Sequence, residues 1–209
     1  MKDGICHIVS AGDFSAGLLP DRATCSLLVA ADAGYRALKD VGLEPDVFIG
    51  DGDSLGFIPH AHERIVLPCE KDDTDTFAAV KYGLEKGYRE FRLYGALGGR
   101  RFSHSVANVL TLLFIAENCG HGEIVDEDCT VTLILPGEKK SVPKDVCRYF
   151  SLFPVGDEAV VSVRGAKYSG EAIRLTQGSA LGASNEPSDG CEISAISGKV
   201  LLICETENK

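Results

Sequence analysis

The chain has eight cysteines but no Cys-x-x-Cys pair, and His7 and His121 stand at no metal-ligand spacing, so a zinc site is not expected. An excess of positive charge is also missing. Lys and Arg number 21 against 31 Asp and Glu, and the net charge of −10 argues against nucleic acid or an anionic membrane as partner, because phosphate groups select basic faces. No apolar stretch is long enough to span a bilayer, and no basic region followed by an apolar run opens the chain. The scattered cysteines therefore read as small buried thiols of a reducing compartment, and a cytoplasmic location is expected. There are no internal repeats and no low-complexity tracts. An apolar share of 44% with 25% charged residues is that of a folded chain, and 209 residues suffice for one large domain or two small ones.

Short apolar runs at 5–10, 26–31, 47–49, 64–67 and 90–97 show little polar alternation, as expected of parallel strands covered on both faces. Helical spacing appears between them at 34–41, 74–86 and 103–118, each ending at a glycine (Gly42, Gly87, Gly120). Asp73 or Thr74 is placed to cap the second helix and Ser103 the third, whose buried face is expected to carry Val106, Val109, Leu110 and Leu113. After Gly137 the pattern changes to short β-type runs at 146–155, 158–164, 172–176, 192–196 and 199–205. The expected architecture is an α/β N-terminal domain with a mostly parallel sheet, residues 1–137, followed by an all-β C-terminal sandwich, residues 138–209.

Ligands of open α/β sheets bind beyond the carboxyl ends of the strands. Three loops with suitable chemistry fall there: Asp32 with Gly34, Asp51-Gly52-Asp53, and Gly95-Ala96-Leu97-Gly98-Gly99-Arg100-Arg101. Asp51 and Asp53 are two apart, so an extended backbone points both carboxylates the same way. Oxygen ligands of this kind suit Mg²⁺, which leaves sites for phosphate and water. Asp-Gly is also a common turn signal, and that reading alone would account for the pair. Asp72, Asp73 and Asp75 open a helix, where acids also serve simply as caps and dipole partners. Asp75 is expected to face the edge that holds Asp51 and Asp53, with Lys71 balancing the acids or touching a transferring phosphate. Gly98, Gly99, Arg100 and Arg101 lead into a helix N-terminus and make a phosphate cradle, although no Walker A Gly-Lys-Ser/Thr follows. His104 either faces that site or simply occupies the first helical turn. The residues alone thus point to metal-dependent transfer from a nucleotide, with Asp32 or a metal-bound neighbour as proton acceptor.

Taken together, these segments resemble the thiamine pyrophosphokinase family. The shared patterns are Ala31-Asp32-Ala33-Gly34, Pro45 to Ser54, Lys71 to Asp75, Gly98 to Asn108, Gly165-Ala166-Lys167-Tyr168 and Gly182 to Glu186, in the family's order. The resemblance implies transfer of the pyrophosphoryl group of ATP to the hydroxyl of thiamine, leaving AMP. It also implies a homodimer with thiamine bound between subunits. Asp51, Asp53 and Asp75 would hold Mg²⁺, with Asp32 and Lys71 among the catalytic residues. Asp72, Gly98, Gly99, Arg100, Arg101 and His104 would bind ATP, and Tyr168, Ser184 and Asn185 would face thiamine. One departure is that Ser103 stands where the family has Asp. Two alternatives are a metal-dependent glycosyltransferase with an Asp-x-Asp clamp and a thiamine- or nucleotide-binding regulator without turnover.

Overall fold

The computed structural model describes residues 2–13, 15–19, 21–68, 70, 72–99 and 101–206. They fall into two compact units, Met1–Asp126 and Glu127–Lys209. The division comes ahead of the expected change of character at Gly137. The reason is that the strand Cys129–Ile134 pairs antiparallel with the last strand of the chain and so belongs to the second unit.

The first unit runs β1 (Ile5–Val9), β2 (Leu27–Ala31), α1 (Gly34–Asp40), β3 (Val47–Gly50), β4 (Glu63–Val66), α2 (Asp75–Glu85), β5 (Glu90–Tyr94), α3 (Phe102–Glu117) and β6 (His121–Val125). Its strands lie in the order β6-β5-β1-β2-β3-β4, and every pair is parallel. The strands β2 and β3 are buried along their whole length, as their unbroken apolar runs require. The strand β4 forms an exposed edge, and β6 had no recognised signal because His121, Gly122 and Glu123 interrupt its apolar pattern. Val9, Leu28, Ala30, Leu38 and Phe48 join in one core cluster beneath α1. On the other face α2 approaches so closely that a Cβ on Gly83 would lie 2.6 Å from the Phe91 ring and 3.0 Å from Cys6 Sγ. No described helix is long and apolar enough to cross a membrane.

Two expectations for α3 need correction. Ser103 is inside its first turn rather than capping it; the cap position is Arg101, which makes no side-chain capping bond. The buried face carries Ser105, Asn108, Thr111, Leu112 and Ile115, while Val106 and Leu110 are exposed. Polar demand from the loop ahead of the helix sets this rotation, as shown below.

The second unit contains β7 (Cys129–Ile134), β8 (Lys139–Ser141), β9 (Tyr149–Ala166), β10 (Gly170–Thr176) and β11 (Pro187–Glu205), all antiparallel where they pair. Four of the expected short runs are joined two by two into the long strands β9 and β11. The glycines between them, Gly156 at φ +105° and Gly198 at φ +72°, bend the strands instead of ending them. Register shifts on either side of Ser197 mark the bend in β11. Residues before and after the bends, among them Phe150, Leu152, Val161, Val163, Ile193 and Val200, share a single core, so the sheet closes on itself as a sandwich does.

Candidate active site

The strand order reverses at β1, since the chain steps outward through β2, β3 and β4 and then returns to β5 on the other side of β1. Such a reversal parts the loops on either side and leaves a crevice at the carboxyl ends. A cavity of about 540 Å³ lies there, lined by the residues after β1 (Ser10 to Asp13), after β2 (Asp32, Ala33) and after β5 (Gly95, Ala96, Gly98, Gly99), and by Thr74 to Thr76, Arg101, His104 and Asn108.

Close backbone packing fixes Asp32. A Cβ on Gly34 would stand 2.0 Å from Val9 O, and one on Gly50 would stand 3.0 Å from Asp32 Cα. Asp32 itself has φ +44°, a conformation that Asp tolerates better than most residues, and its N–H donates to Ile49 O at 2.9 Å. Its side chain is only 5% exposed, and Oδ1 has no hydrogen-bond partner among the described residues. After β3 the chain turns through Gly52 at φ +74°. In that turn the Asp53 N–H donates to Asp51 Oδ1 at 3.1 Å, and Ser54 Oγ donates to Asp53 Oδ1 at 3.0 Å. The turn-former reading of these aspartates is therefore part of the geometry. It also brings them together: Asp32, Asp51 and Asp53 offer carboxylate oxygens within 4.8 Å of one another.

Asp75 opens α2 and lines the cavity with Asp32. Thr74 is the cap, accepting from the Phe77 N–H at 3.2 Å, whereas Asp73 pairs with Lys81 at 2.6 Å. Asp72 is exposed and is not part of the cavity lining. Lys71 and Arg100 lie outside the described residues. Of the two arginines considered, Arg101 lines the cavity.

The glycine loop turns through Gly95, Gly98 and Gly99, all at positive φ. Two side chains of α3 hold it from behind. Asn108 Nδ2 donates to Ala96 O at 2.7 Å, and Ser105 Oγ donates to Gly98 O at 3.3 Å. These bonds explain why α3 turns Ser105 and Asn108 inward and leaves Val106 and Leu110 outside. His104 faces the cavity; burial, and then the nearby Arg101, lower its pKa, while Asp75 opposes them. The loop after β1 was not recognised from sequence, although Ser10-Ala11-Gly12-Asp13 after an apolar run is the same kind of signal. Gly12 is required there, since its Cβ would meet Leu97 O at 2.4 Å and Gly95 O at 2.5 Å.

In the second unit, Tyr168 and Asn185 border a small apolar pocket of about 110 Å³ with Leu152, Val161, Leu175 and Leu181. The Asn185 amide is used internally. Its Oδ1 accepts from the Tyr168 N–H at 3.0 Å and its Nδ2 donates to Tyr168 O at 2.8 Å, so it presents Tyr168, which is 64% exposed. Ser184 has φ +56°, and its N–H donates to Ser151 Oγ at 3.0 Å.

Residues 22–120 match the family model described as thiamin pyrophosphokinase, catalytic domain, and residues 139–200 match the one described as thiamin pyrophosphokinase, vitamin B1 binding domain. The chain belongs to the thiamin pyrophosphokinase family. A solved thiamin pyrophosphokinase of Geobacillus thermodenitrificans is 31% identical, with 98% of each chain covered and a TM-score of 0.79. The thiamine pyrophosphokinase of Bacillus subtilis (strain 168) is 28% identical over 193 residues, covering 86% of this chain and 88% of the relative. A solved structure of the enzyme from Bacillus subtilis has a TM-score of 0.84 over 98% of this chain and all of that one; at 24% identity it supports the fold. As a thiamin pyrophosphokinase family member the chain is a pyrophosphotransferase, and its catalytic-domain match spans all the cavity-lining loops except the one after β1.

Proposed function

We propose that this chain transfers the terminal pyrophosphoryl group of ATP to the hydroxyl of thiamine, giving thiamine diphosphate and AMP, with Mg²⁺ as cofactor. The observation that carries this reading is that Asp32, Asp75 and the glycine–arginine loop line one cavity, with Asp51 and Asp53 grouped against Asp32. The buried Oδ1 of Asp32, without a hydrogen-bond partner among the described residues, fits a cation, because an uncompensated carboxylate oxygen in a protein interior is costly. Asp51, Asp53 and Asp75 would hold the ion, with Asp32 beside them. Bound Mg²⁺ supplies charge neutralisation at the phosphate oxygens.

The protein's own groups do the rest. Arg101 and the N–H groups around Gly98 and Gly99, at the start of α3, bind phosphate oxygens through charge-assisted bonds and the helix dipole. In the same reading Asp72 and Arg100 bind ATP and Lys71 is a catalytic residue. His104, whose pKa burial and then Arg101 lower, offers a hydrogen bond at the cavity wall. Asp32 or a metal-bound neighbouring aspartate is the candidate acceptor for the thiamine hydroxyl proton. Orienting the hydroxyl against the phosphorus supplies much of the remaining rate, since phosphoryl-type transfer depends on positioning and electrostatics.

For thiamine, an apolar pocket rimmed by an aromatic ring suits part of a flat, cationic heterocycle. In this reading Tyr168 makes the contact, Asn185 orients it, and Ser184 faces thiamine beside them. We also infer a homodimer with thiamine bound between subunits. The reading is supported by Phe102, Val106 and Leu110, an apolar stripe along α3 that is exposed in the single chain. A cytoplasmic location belongs to the same reading and rests on the free thiols.

The test is to incubate protein, thiamine, ATP and Mg²⁺ and to follow AMP and thiamine diphosphate by chromatography. Equal appearance of both, lost without Mg²⁺ and in Asp53→Ala, is expected. ADP with thiamine monophosphate would instead mean a single-phosphoryl kinase. Thiamine binding without product would mean a regulator, and sugar-nucleotide turnover a glycosyltransferase.

A further inference from the structure

Ser10, immediately after β1, and Thr76, in the first turn of α2, both line the cavity and are 3% and 6% exposed. Their side-chain oxygens are 2.8 Å apart, and neither hydroxyl has another hydrogen-bond partner among the described residues. A hydroxyl carries one proton and two lone pairs. Within the pair one proton is spent on the mutual bond, so whichever oxygen donates, the other keeps a proton with nothing among the described residues to receive it. The nearest chemistry that would take it is in the cavity. Asp32 is not the taker: its buried Oδ1 has no partner among the described residues, and the bond of Ser10 and Thr76 is to each other.

A pair that only tied β1 to α2 would leave that second proton buried and unsatisfied, an arrangement proteins avoid. The same spot lies at the N-terminal end of α2, an 11-residue helix whose dipole favours negative charge there. A neutral O–H donor at that end, among aspartates that repel anions, is well suited to a phosphate oxygen.

We propose that Ser10 and Thr76 form a ligand-binding dyad that donates one O–H to a phosphate oxygen of the nucleotide while anchoring the end of α2 that carries Asp75. This rests on the nucleotide reading of the cavity above. Neither residue belongs to the sequence patterns that first suggested a site. Their separation of 66 positions hides the pair until the strand and helix are packed.

The test uses the full chain with Thr76→Val, which keeps the shape and removes the hydroxyl, Ser10→Ala, and Thr76→Ser, which restores the hydroxyl. Calorimetry with a non-hydrolysable ATP analogue and Mg²⁺, and with adenosine, is paired with thermal melting. A hydrogen bond to a charged group is worth about 10- to 100-fold in affinity. Whichever of Thr76→Val and Ser10→Ala removes the donating hydroxyl should weaken the analogue roughly tenfold or more and leave adenosine nearly unchanged, and Thr76→Ser, which keeps the pair, should bind nearly as the parent does. The proposal is overturned if both hydroxyl-free variants bind the analogue within about twofold of the parent protein. It is also overturned if analogue and adenosine weaken together with a lowered melting temperature and Thr76→Ser fails to rescue. Failure of the activity reading shows differently: the unmutated protein would form no AMP and thiamine diphosphate, whatever the variants bind.

Discussion

Replacing Asp32 by Asn should separate the cost of the acid cluster from its use. The carboxylate oxygens of Asp32, Asp51 and Asp53 lie within 4.8 Å of one another, and Asp32 is buried. Two unit charges at that distance repel by roughly 3 kcal/mol at an effective dielectric of about 20. Asp51 is half-buried and Asp53 exposed, so solvent screening reduces the net relief to about 1–2 kcal/mol. Asn keeps the shape and accepts φ +44°, so the turn itself should be undisturbed. In EDTA the variant should therefore melt higher, by about 2–8 °C for a protein of this size. In Mg²⁺ the order should reverse. A ligand at a hundred times its dissociation constant stabilises by about 2.7 kcal/mol, and the variant should lose most of that gain. Differential scanning fluorimetry across a Mg²⁺ series reads both effects without any turnover. A variant that melts lower in EDTA, with a Mg²⁺ shift equal to that of the parent, would refute the reasoning.

Gly34→Ala should cost at least about 3 kcal/mol in urea unfolding, because the new methyl would stand 2.0 Å from the backbone oxygen of Val9 and neither strand nor helix can yield; a change under about 1 kcal/mol would show the approach to be looser. His7 is buried against Tyr94, its Nδ1 3.0 Å from the Tyr94 hydroxyl, and burial first, then Arg92, lower its pKa from 6.5 to about 4. Because the folded value lies below the unfolded one, the unfolded chain binds the proton more readily. Stability from this group is full above pH 6.5 and falls toward pH 4, by about 3 kcal/mol. NMR titration of the His7 ring should show it neutral through pH 5, and an ordinary midpoint near 6.5 would contradict the burial argument.

Periodicity made the N-terminal half legible. Unbroken apolar runs announced buried parallel strands, and glycines at 42 and 87 marked helix ends where the structure has positive φ. The same rule misled in the second unit, where Gly156 and Gly198 look like turn glycines yet only bend β9 and β11. Whether a positive-φ glycine ends a strand or bends it depends on whether hydrogen bonding resumes across the partner. That is a long-range fact. The rotation of α3 was misread for a related reason. Apolar spacing favoured Val106 and Leu110 as the inner face, but the carbonyls of Ala96 and Gly98 needed donors, and Asn108 and Ser105 were placed to supply them.

For the site, the order of motifs was enough to identify the residue types and the family, because Asp-Gly-Asp and Gly-Gly-Arg segments after strands carry local chemistry that does not depend on distant packing. Only the tertiary structure decided which groups meet. It joined Asp32 to Asp51 and Asp53, gave the cap of α2 to Thr74 and an ion pair to Asp73, and set Ser10 against Thr76. Local backbone preferences are written in neighbouring residues. Proximity between strands β1, β2, β3 and β5 exists only once the sheet is ordered, and no short window of sequence contains it.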